Sequence, residues 1–175
     1  PKHYKIIAGA SLEKLFAEQV KGANCRYISG NILTGKQIEK TDFLGHYHTE
    51  VTVIPEGNTP EFLGWILPGT DKFSLSRTFF SWLMPKREYK LDTAMHGEER
   101  AMVVTGVLEE VFPFDIYPMH LLKAIIVGDI EKMENLGIYE VVEEDFALCE
   151  VIDPSKLNIQ EIVREGLDLV RKEVA

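Results

Sequence analysis

The chain has 175 residues, of which 45% are apolar and 27% are charged. This composition is typical of a globular protein with its own core, and it excludes disordered, collagen-like and disulfide-dense classes. The net charge of −9 is uneven: residues 1–98 carry 12 basic and 11 acidic side chains, whereas residues 99–175 carry 7 and 17. The acidic second half argues against nucleic-acid binding, and against docking on anionic lipid through that half.

The ends and the cysteines of the chain add further limits. No apolar run approaches the roughly 20 residues of a membrane span, and no secretory signal opens the chain. The sequence begins at Pro1 without a methionine, so we expect it to be part of a longer protein. Cys25 and Cys149 have no metal-ligand spacing, weakly favour a reducing compartment, and are expected to be buried apolar residues rather than nucleophiles.

The first third of the chain predicts short strands around one helix. A helix is expected to begin at Ser11, which can cap it. Alternation places Tyr47, Thr49, Val51 and Val53 on one face of the longest strand, and this is the expected core face. The predicted strands are Tyr4–Ala8, Arg26–Ser29, Asn31–Leu33 and Tyr47–Ile54. This order is that of a small β-grasp unit, which we assign to residues 1–55.

Residues 56–98 are interpreted as a connecting segment. Phe62–Leu67 predicts a short buried strand, and Lys90–Glu98 predicts a loop. The run from Phe79 to Met84 is rich in aromatic residues and is followed by basic ones. It is interpreted either as packing between two domains or as a contact surface for a partner, because aromatic and arginine side chains are common interface anchors.

Residues 99–175 predict an all-α domain. The first four helices are expected at Glu99–Glu110, Tyr117–Val127, Ile130–Leu136 and Glu143–Glu150. Pro113, Gly128 and Gly137 are the expected stops and Asp129 is an expected cap. The last helix begins at an Asn158-x-x-Glu161 capping box, and its inward residues are Ile159, Ile162, Val163, Leu167 and Val170. We expect limited proteolysis to cut first around Lys86–Glu98, between the two units.

A faint repeat in the helical half carries the spacing of a bacterial ferredoxin, C-x2-C-x2-C-x3-C-P. The two copies, which end at Pro113 and Pro154, lie 41 residues apart. In the first copy the ligand positions fall on Met102, Thr105, Leu108 and Phe112, and in the second on Glu143, Phe146, Cys149 and Asp153.

Only Cys149 among these eight positions could ligate iron through a thiolate, so the sequence predicts no iron–sulfur cluster. We expect Met102, Leu108, Phe112 and Phe146 to fill the cluster volume as packed core. Glu143 and Asp153 are expected at the surface or capping a helix, with Asp153 held by the turn Asp153-Pro154-Ser155. The alternative is that the two segments are unrelated.

One further group could bind a metal. A strand containing His46, His48 and Glu50 would place all three on one face, a geometry that could ligate zinc. The alternative is a solvent-facing strand edge, and no metal site is assigned. Nucleotide-binding glycine loops of the G-x-G-x-x-G and G-x4-G-K-[ST] types are missing from the sequence, and no catalytic or cofactor-binding residue is assigned.

Several long runs resemble the A-subunit family of the bacterial Na+-translocating NADH:quinone oxidoreductase, over essentially the whole chain. They are RYISGNILTG (26–35), FLGHYHTEVTVIPEG (43–57), FLGWILPG (62–69), HGEERAMVVTGVLEEVFPFDIYP (96–118) and GDIEKMENLGIYEVVEEDFALCEVIDPSK (128–156). The related C-type protein of Rnf complexes keeps ferredoxin cysteines in the corresponding region, whereas the A-subunit family has lost them, as has this sequence.

The resemblance implies an α+β fold, with a soluble-ligand-binding β-grasp unit followed by a helical domain similar to a ferredoxin without clusters. It also implies a C-terminal part of a peripheral protein on the cytoplasmic side of the bacterial inner membrane. The parent complex would oxidise NADH, reduce quinone and export Na+ with flavins and iron–sulfur centres. This part would carry no cofactor, and would serve assembly or contact with quinone or other subunits, without nucleic acid.

Two other functions remain open from the sequence. A self-contained β-grasp module could bind a small soluble ligand beside a structural helical domain. A ferredoxin-type electron carrier is the third hypothesis, and the cysteine count argues against it.

Overall fold

The computed structural model describes residues 2–7, 9–22, 24–57, 63–64, 66–73 and 77–174. Its Cα positions divide into two compact units, residues 1–96 and 97–175. A small antiparallel sheet lies in the first unit and most of the helical residues lie in the second. The fold is therefore mixed α+β, as predicted. Among the described residues, no helix has the length and apolar character needed to cross a membrane.

In its described residues, the first unit is built on a three-stranded sheet and one α-helix. Helix α1 (Glu13–Gln19) precedes strands β1 (Cys25–Ser29), β2 (Lys36–Ile38) and β3 (Val51–Pro55). Strand β1 is central and pairs antiparallel with both neighbours.

The core of this unit forms where α1 packs on one face of the sheet. Leu12, Phe16 and Tyr27 are its buried centre, and the Phe16 and Tyr27 rings lie 4.5 Å apart between centroids. Val51 and Val53 pack against this centre, which confirms the inward face predicted for this part of the third strand. Burial of these side chains is the main source of the unit's stability.

Three sequence expectations for this unit are wrong. Residues 4–7 form no strand, and Ala8 lies outside the described residues. The predicted strand Asn31–Leu33 is a turn, because the Asn31 side-chain oxygen accepts hydrogen bonds from the backbone N–H groups of Leu33 and Thr34. Residues 47–50 precede β3 instead of belonging to it, and Tyr47 is 93% exposed rather than facing the core.

The described part of residues 56–96 contains one short 3-10 turn, Phe80–Leu83, and no other helix or strand. Residues Lys90–Glu98 form neither helix nor strand, which confirms the expected loop. The predicted strand Phe62–Leu67 lies partly outside the described residues, and Leu63, Gly64 and Ile66 are in turns.

Residues 97–174 of the second unit contain four α-helices. They are α2 (Pro118–Val127), α3 (Ile130–Asn135), α4 (Ala147–Ile152) and α5 (Ile159–Val174). Short 3-10 turns at Leu108–Glu110, Ile138–Glu140 and Glu143–Phe146 connect them.

Local signals set the bounds of α2 and α3. Pro118 occupies the first turn of α2, where its missing N–H costs nothing, and Gly128 ends it in the left-handed conformation at φ +76°. The Asp129 carboxylate accepts a hydrogen bond from the Lys132 N–H and so caps α3. The predicted stop at Gly128 and the predicted cap at Asp129 are confirmed.

The start of α5 is capped differently from the predicted box. Asn158 donates its side-chain amide to the Glu161 carboxylate. The Gln160 N–H is bound instead by the Glu150 carboxylate at the end of α4, at 2.9 Å. The first-turn donor is thus satisfied by a residue from another helix.

The helix predicted at Glu99–Glu110 is wrong. Residues 99–105 have no helical hydrogen bonding, and only Leu108–Glu110 makes a 3-10 turn. The β-branched residues Val103, Val104 and Thr105 disfavour helix, and Gly106 then adopts the left-handed conformation at φ +74°.

The core of the second unit is continuous from the first ferredoxin-spaced segment to α5. It includes the predicted inward side chains of the last helix, with Ile159, Val163 and Val170 buried and Ile162 and Leu167 partly buried against them. The whole amphipathic face of α5 is therefore used in packing.

Candidate functional site

The two segments with ferredoxin spacing lie directly against each other. The rings of Phe112 and Phe146 are 4.6 Å apart between centroids and tilted by 46°. The Cys149 thiol lies 3.8 Å from the backbone oxygen of Leu108 and donates a hydrogen bond to it. The segments are thus neighbours in space as well as similar in spacing.

The side chains at the ligand positions form an apolar core. Leu108, Phe112, Phe146 and Cys149 are all buried, and Met102 packs against them. This is the arrangement that we expected if side chains occupy the volume of a cluster, since protein interiors are filled to crystal-like density. Thr105 alone of the first four positions is exposed.

One contact between the segments joins two positions that would serve the same cluster in a two-cluster ferredoxin. In such ferredoxins the fourth cysteine of one run ligates the other cluster. Phe112 is the fourth position of the first segment and contacts Phe146, the second position of the other. At the far end, the Arg100 N–H donates to the Ser155 oxygen at 2.8 Å, which ties the start of the first segment to the end of the second.

Asp153 lies in the predicted Asp153-Pro154-Ser155 turn, but the expectation that it lies at the surface is wrong. Its side chain is buried at 1% exposure, and its two oxygens accept hydrogen bonds from the N–H groups of Ser155 and Leu157, each at 3.1 Å. A carboxylate can be buried when backbone donors replace water in this way. Glu143 is partly exposed and forms an ion pair with Arg164 on α5.

The chemistry of this core does not fit an iron–sulfur cluster, because one thiol cannot replace four thiolate ligands. Burial raises the pKa of the Cys149 thiol to about 12, and the charges of Glu109 and Asp153 act in the same direction. The thiol therefore stays protonated at neutral pH, whereas metal binding and nucleophilic attack need the thiolate.

We predict that Cys149 resists alkylation in the folded protein. At pH 8 about one Cys149 thiol in ten thousand is ionised, given a pKa of about 12. Iodoacetamide followed by peptide mass spectrometry should label Cys25 in the native protein and Cys149 only after unfolding. Because folding raises this pKa from 9.0, the thiol should also weaken the fold progressively as pH rises from 9 towards 12.

Labelling of Cys149 at the rate of a free thiol in the native protein would contradict this prediction. A Cys25→Ser variant serves as the control, because it leaves Cys149 as the only thiol in the chain.

The possible zinc ligands are not placed on one strand face. His46 and Glu50 are exposed, and His48 is held by its Nδ1 atom, which lies 2.7 Å from the Ser29 hydroxyl oxygen. In the described part of the chain, no three His, Cys, Asp or Glu side chains are grouped so that they could hold a metal ion.

An open cleft of about 500 Å³ lies between α2 and α3. Three of its lining residues are apolar and five are polar or charged, and the Asp129 and Lys132 side chains pair with each other at 2.8 Å. The lining residues are His120, Lys123, Ala124, Val127, Asp129, Lys132, Asn135 and Leu136. No sequence signal indicates this cleft, because it arises from the angle between two helices.

Comparison with known proteins indicates the same family as the long sequence segments that carry the resemblance. Residues 1–40 match the family model described as "NQRA C-terminal domain". The relatives are A subunits of the Na(+)-translocating NADH-quinone reductase. The chain is 42% identical over 174 residues to the A subunit of Pasteurella multocida, and 38% identical to that of Shewanella frigidimarina. The A subunit of Vibrio anguillarum is 39% identical over the same length.

The chain belongs to this A-subunit family. Each alignment covers 99% of the chain and 39% of the relative, so the chain spans about two fifths of the length of these relatives. The family model covers α1, β1 and β2, which are elements of the small sheet unit.

Proposed function

We propose that this chain serves as a part of the A subunit in a membrane complex that couples NADH oxidation and quinone reduction to Na+ export. The identity of about 40% over nearly the whole chain carries this proposal, since the relatives are named as A subunits of the Na(+)-translocating NADH-quinone reductase. The oxidoreductase activity belongs to the whole complex, and we assign no catalytic residue to this chain.

Within the complex, we propose a role in assembly and in contact with other subunits or quinone, without a redox centre. The packing of the ferredoxin-spaced segments supports this role, because Phe112 and Phe146 occupy ligand positions and the remaining thiol is buried and protonated. We propose that this unit acts as a scaffold derived from a ferredoxin whose clusters have been lost. Its stability comes from apolar burial where a ferredoxin uses metal–thiolate bonds.

We also propose a peripheral location on the cytoplasmic side of the bacterial inner membrane, with the other subunits as partners. This location rests on the family resemblance.

Purification of the tagged chain from a bacterium that contains the complex tests the proposal. We expect membrane subunits to co-purify, and we expect the chain purified alone to be colourless, without absorbance at about 400 nm and without iron, because it lacks the thiolate set. Several iron atoms per chain would indicate the electron-carrier hypothesis instead. If no membrane subunit co-purified and a small soluble ligand did, the self-contained β-grasp module would be favoured.

A further inference from the structure

A basic and aromatic segment, residues 77–90, is unlike the rest of the chain. It contains four basic side chains and one acidic side chain in 14 residues, although the whole chain carries a net charge of −9. The run RTFFSWLMPKREYK combines these cations with five large apolar side chains between Phe79 and Met84. Neither the sheet core nor the helical core includes any of these residues.

The apolar turn of this segment is fixed at its base. The Phe80 N–H donates to the Pro68 oxygen at 2.9 Å, and Ser81 is buried at 2% exposure. Phe79 lies against the backbone of Gly69, where an added Cβ would come within 2.4 Å of its ring. The turn is therefore held by inward contacts.

The other four residues of the run from Phe79 to Met84 face solvent. Phe80, Trp82, Leu83 and Met84 have between 48% and 59% of their surface exposed. They are consecutive but for the buried Ser81, so they form one apolar patch on a held 3-10 turn. An exposed apolar patch of this kind is typical of a binding site.

Exposed cations flank this patch on both sides. Arg77 lies over the Trp82 ring at 5.9 Å, and Lys86, Arg87 and Lys90 follow the turn. Among the described residues, no ion pair includes any of these four side chains. Their positive charge is therefore available to an anionic partner.

We propose that residues 77–90 dock on the surface of an anionic lipid bilayer, with the apolar turn inserted at the headgroup level and the cations on the lipid phosphates. Tryptophan and phenylalanine side chains favour this interfacial depth, and each nearby Lys or Arg strengthens binding to anionic lipid. Charge complementarity favours this basic segment as the lipid-facing part of the chain, because the second half of the chain is strongly acidic and an anionic bilayer repels it.

The size of the patch favours a bilayer over a protein partner. A stable protein interface uses about 20–30 residues on each side, whereas this patch consists of one short turn and its flanking cations. A bilayer needs only a few inserted side chains together with electrostatic attraction. Lipid binding by this segment does not depend on the proposed complex, because it can be measured with the chain alone.

Vesicle flotation with the purified chain is the direct test. We expect binding to phosphatidylcholine vesicles that contain about 30 mol% phosphatidylglycerol, weak or no binding to pure phosphatidylcholine, and loss of binding in high salt. In a Trp65→Phe variant, Trp82 is the only tryptophan, and its fluorescence emission should shift to the blue when anionic vesicles are added.

Two pairs of variants separate charge from apolar insertion. The double variant Lys86→Gln, Arg87→Gln should weaken vesicle binding about 30-fold, since each cation contributes about fivefold. The control double variant Arg171→Gln, Lys172→Gln on α5 makes the same change in charge and should leave binding unchanged. Trp82→Ala with Leu83→Ala should abolish binding. Ile126→Ala with Val127→Ala, which removes an exposed apolar pair from α2, should not.

Equal binding to neutral and anionic vesicles would overturn the proposal. Equal losses of vesicle binding in the Arg171–Lys172 double variant and in the Lys86–Arg87 double variant would also overturn it. Failure to bind any vesicle, together with crosslinking of this segment to another protein in the whole complex, would assign the surface to a protein partner instead. All four substituted residues in the segment are exposed, so circular dichroism should report an unchanged fold.

Discussion

Replacing Phe146 with alanine is expected to lower the free energy of unfolding of the helical unit by about 3–5 kcal/mol. Phe146 is fully buried and packs on the Phe112 ring between the two ferredoxin-spaced segments. Its removal leaves a cavity lined by side chains from both segments, which cannot collapse without moving the backbone. Urea unfolding followed by circular dichroism measures this loss.

Leu148→Ala is the matched control for this substitution. Leu148 lies two residues further along, on α4, and is 49% exposed, so its truncation should change stability by less than about 1 kcal/mol. Similar losses from Phe146→Ala and Leu148→Ala would show that Phe146 does not lie in a packed core, and the cluster-replacement interpretation would be wrong.

Replacing Asp153 with alanine is expected to cost about 3 kcal/mol, since it removes two hydrogen bonds to a carboxylate and leaves buried N–H groups without an acceptor. The affected donors belong to Ser155 and Leu157. Their turn positions the Ser155 oxygen, which binds the Arg100 N–H, so hydrogen exchange at Arg100 should become faster as well.

Asp153→Asn and Asp168→Ala complete this test. The asparagine variant keeps one acceptor oxygen and should lose about half as much stability. Asp168 lies towards the solvent side of α5, and its removal should change stability by no more than about 0.5 kcal/mol. An Asp153→Ala variant with unchanged free energy of unfolding would contradict the stabilising role of the buried carboxylate.

The helices that could be located well from the sequence are those whose limits are set by residues within or beside them. Pro118, Gly128 and Asp129 each act through their own backbone or through a neighbour a few residues away. Their effect does not depend on the rest of the fold, so α2 and α3 could be predicted within a residue or two. The inward face of α5 was predictable for the same reason, from its 3.6-residue period.

The errors fall where a distant contact or a competing local bond decides the structure. Strands were predicted at Tyr4–Ala8 and over all of Tyr47–Ile54, but residues 4–7 and 47–50 form none, because a strand also needs a partner. At Asn31 the side chain binds its own backbone and makes a turn instead. Residues 99–105 are not helical, although the apolar residues of Glu99–Glu110 have helical spacing. Three β-branched residues and the left-handed Gly106 disfavour a helix there.

The candidate site was partly predictable because its spacing occurs twice. The repeat indicated that Leu108, Phe112 and Phe146 belong to one core, and the structure confirms their burial. It could not indicate that Asp153 is buried, since the donors that bind this carboxylate come from a turn whose shape depends on the whole unit. The α2–α3 cleft was unpredictable because it depends on helix packing.

The contact between Leu108 and Cys149 also bears on how the helical unit folds. It joins residues 41 positions apart, and closing a loop of that length costs chain entropy before any packing energy is gained. Helices α2 and α3 lie inside this loop and contact each other locally, so they are expected to form first and the two proline-ended segments to meet late. Substitutions at the segment junction should therefore speed unfolding more than they slow folding.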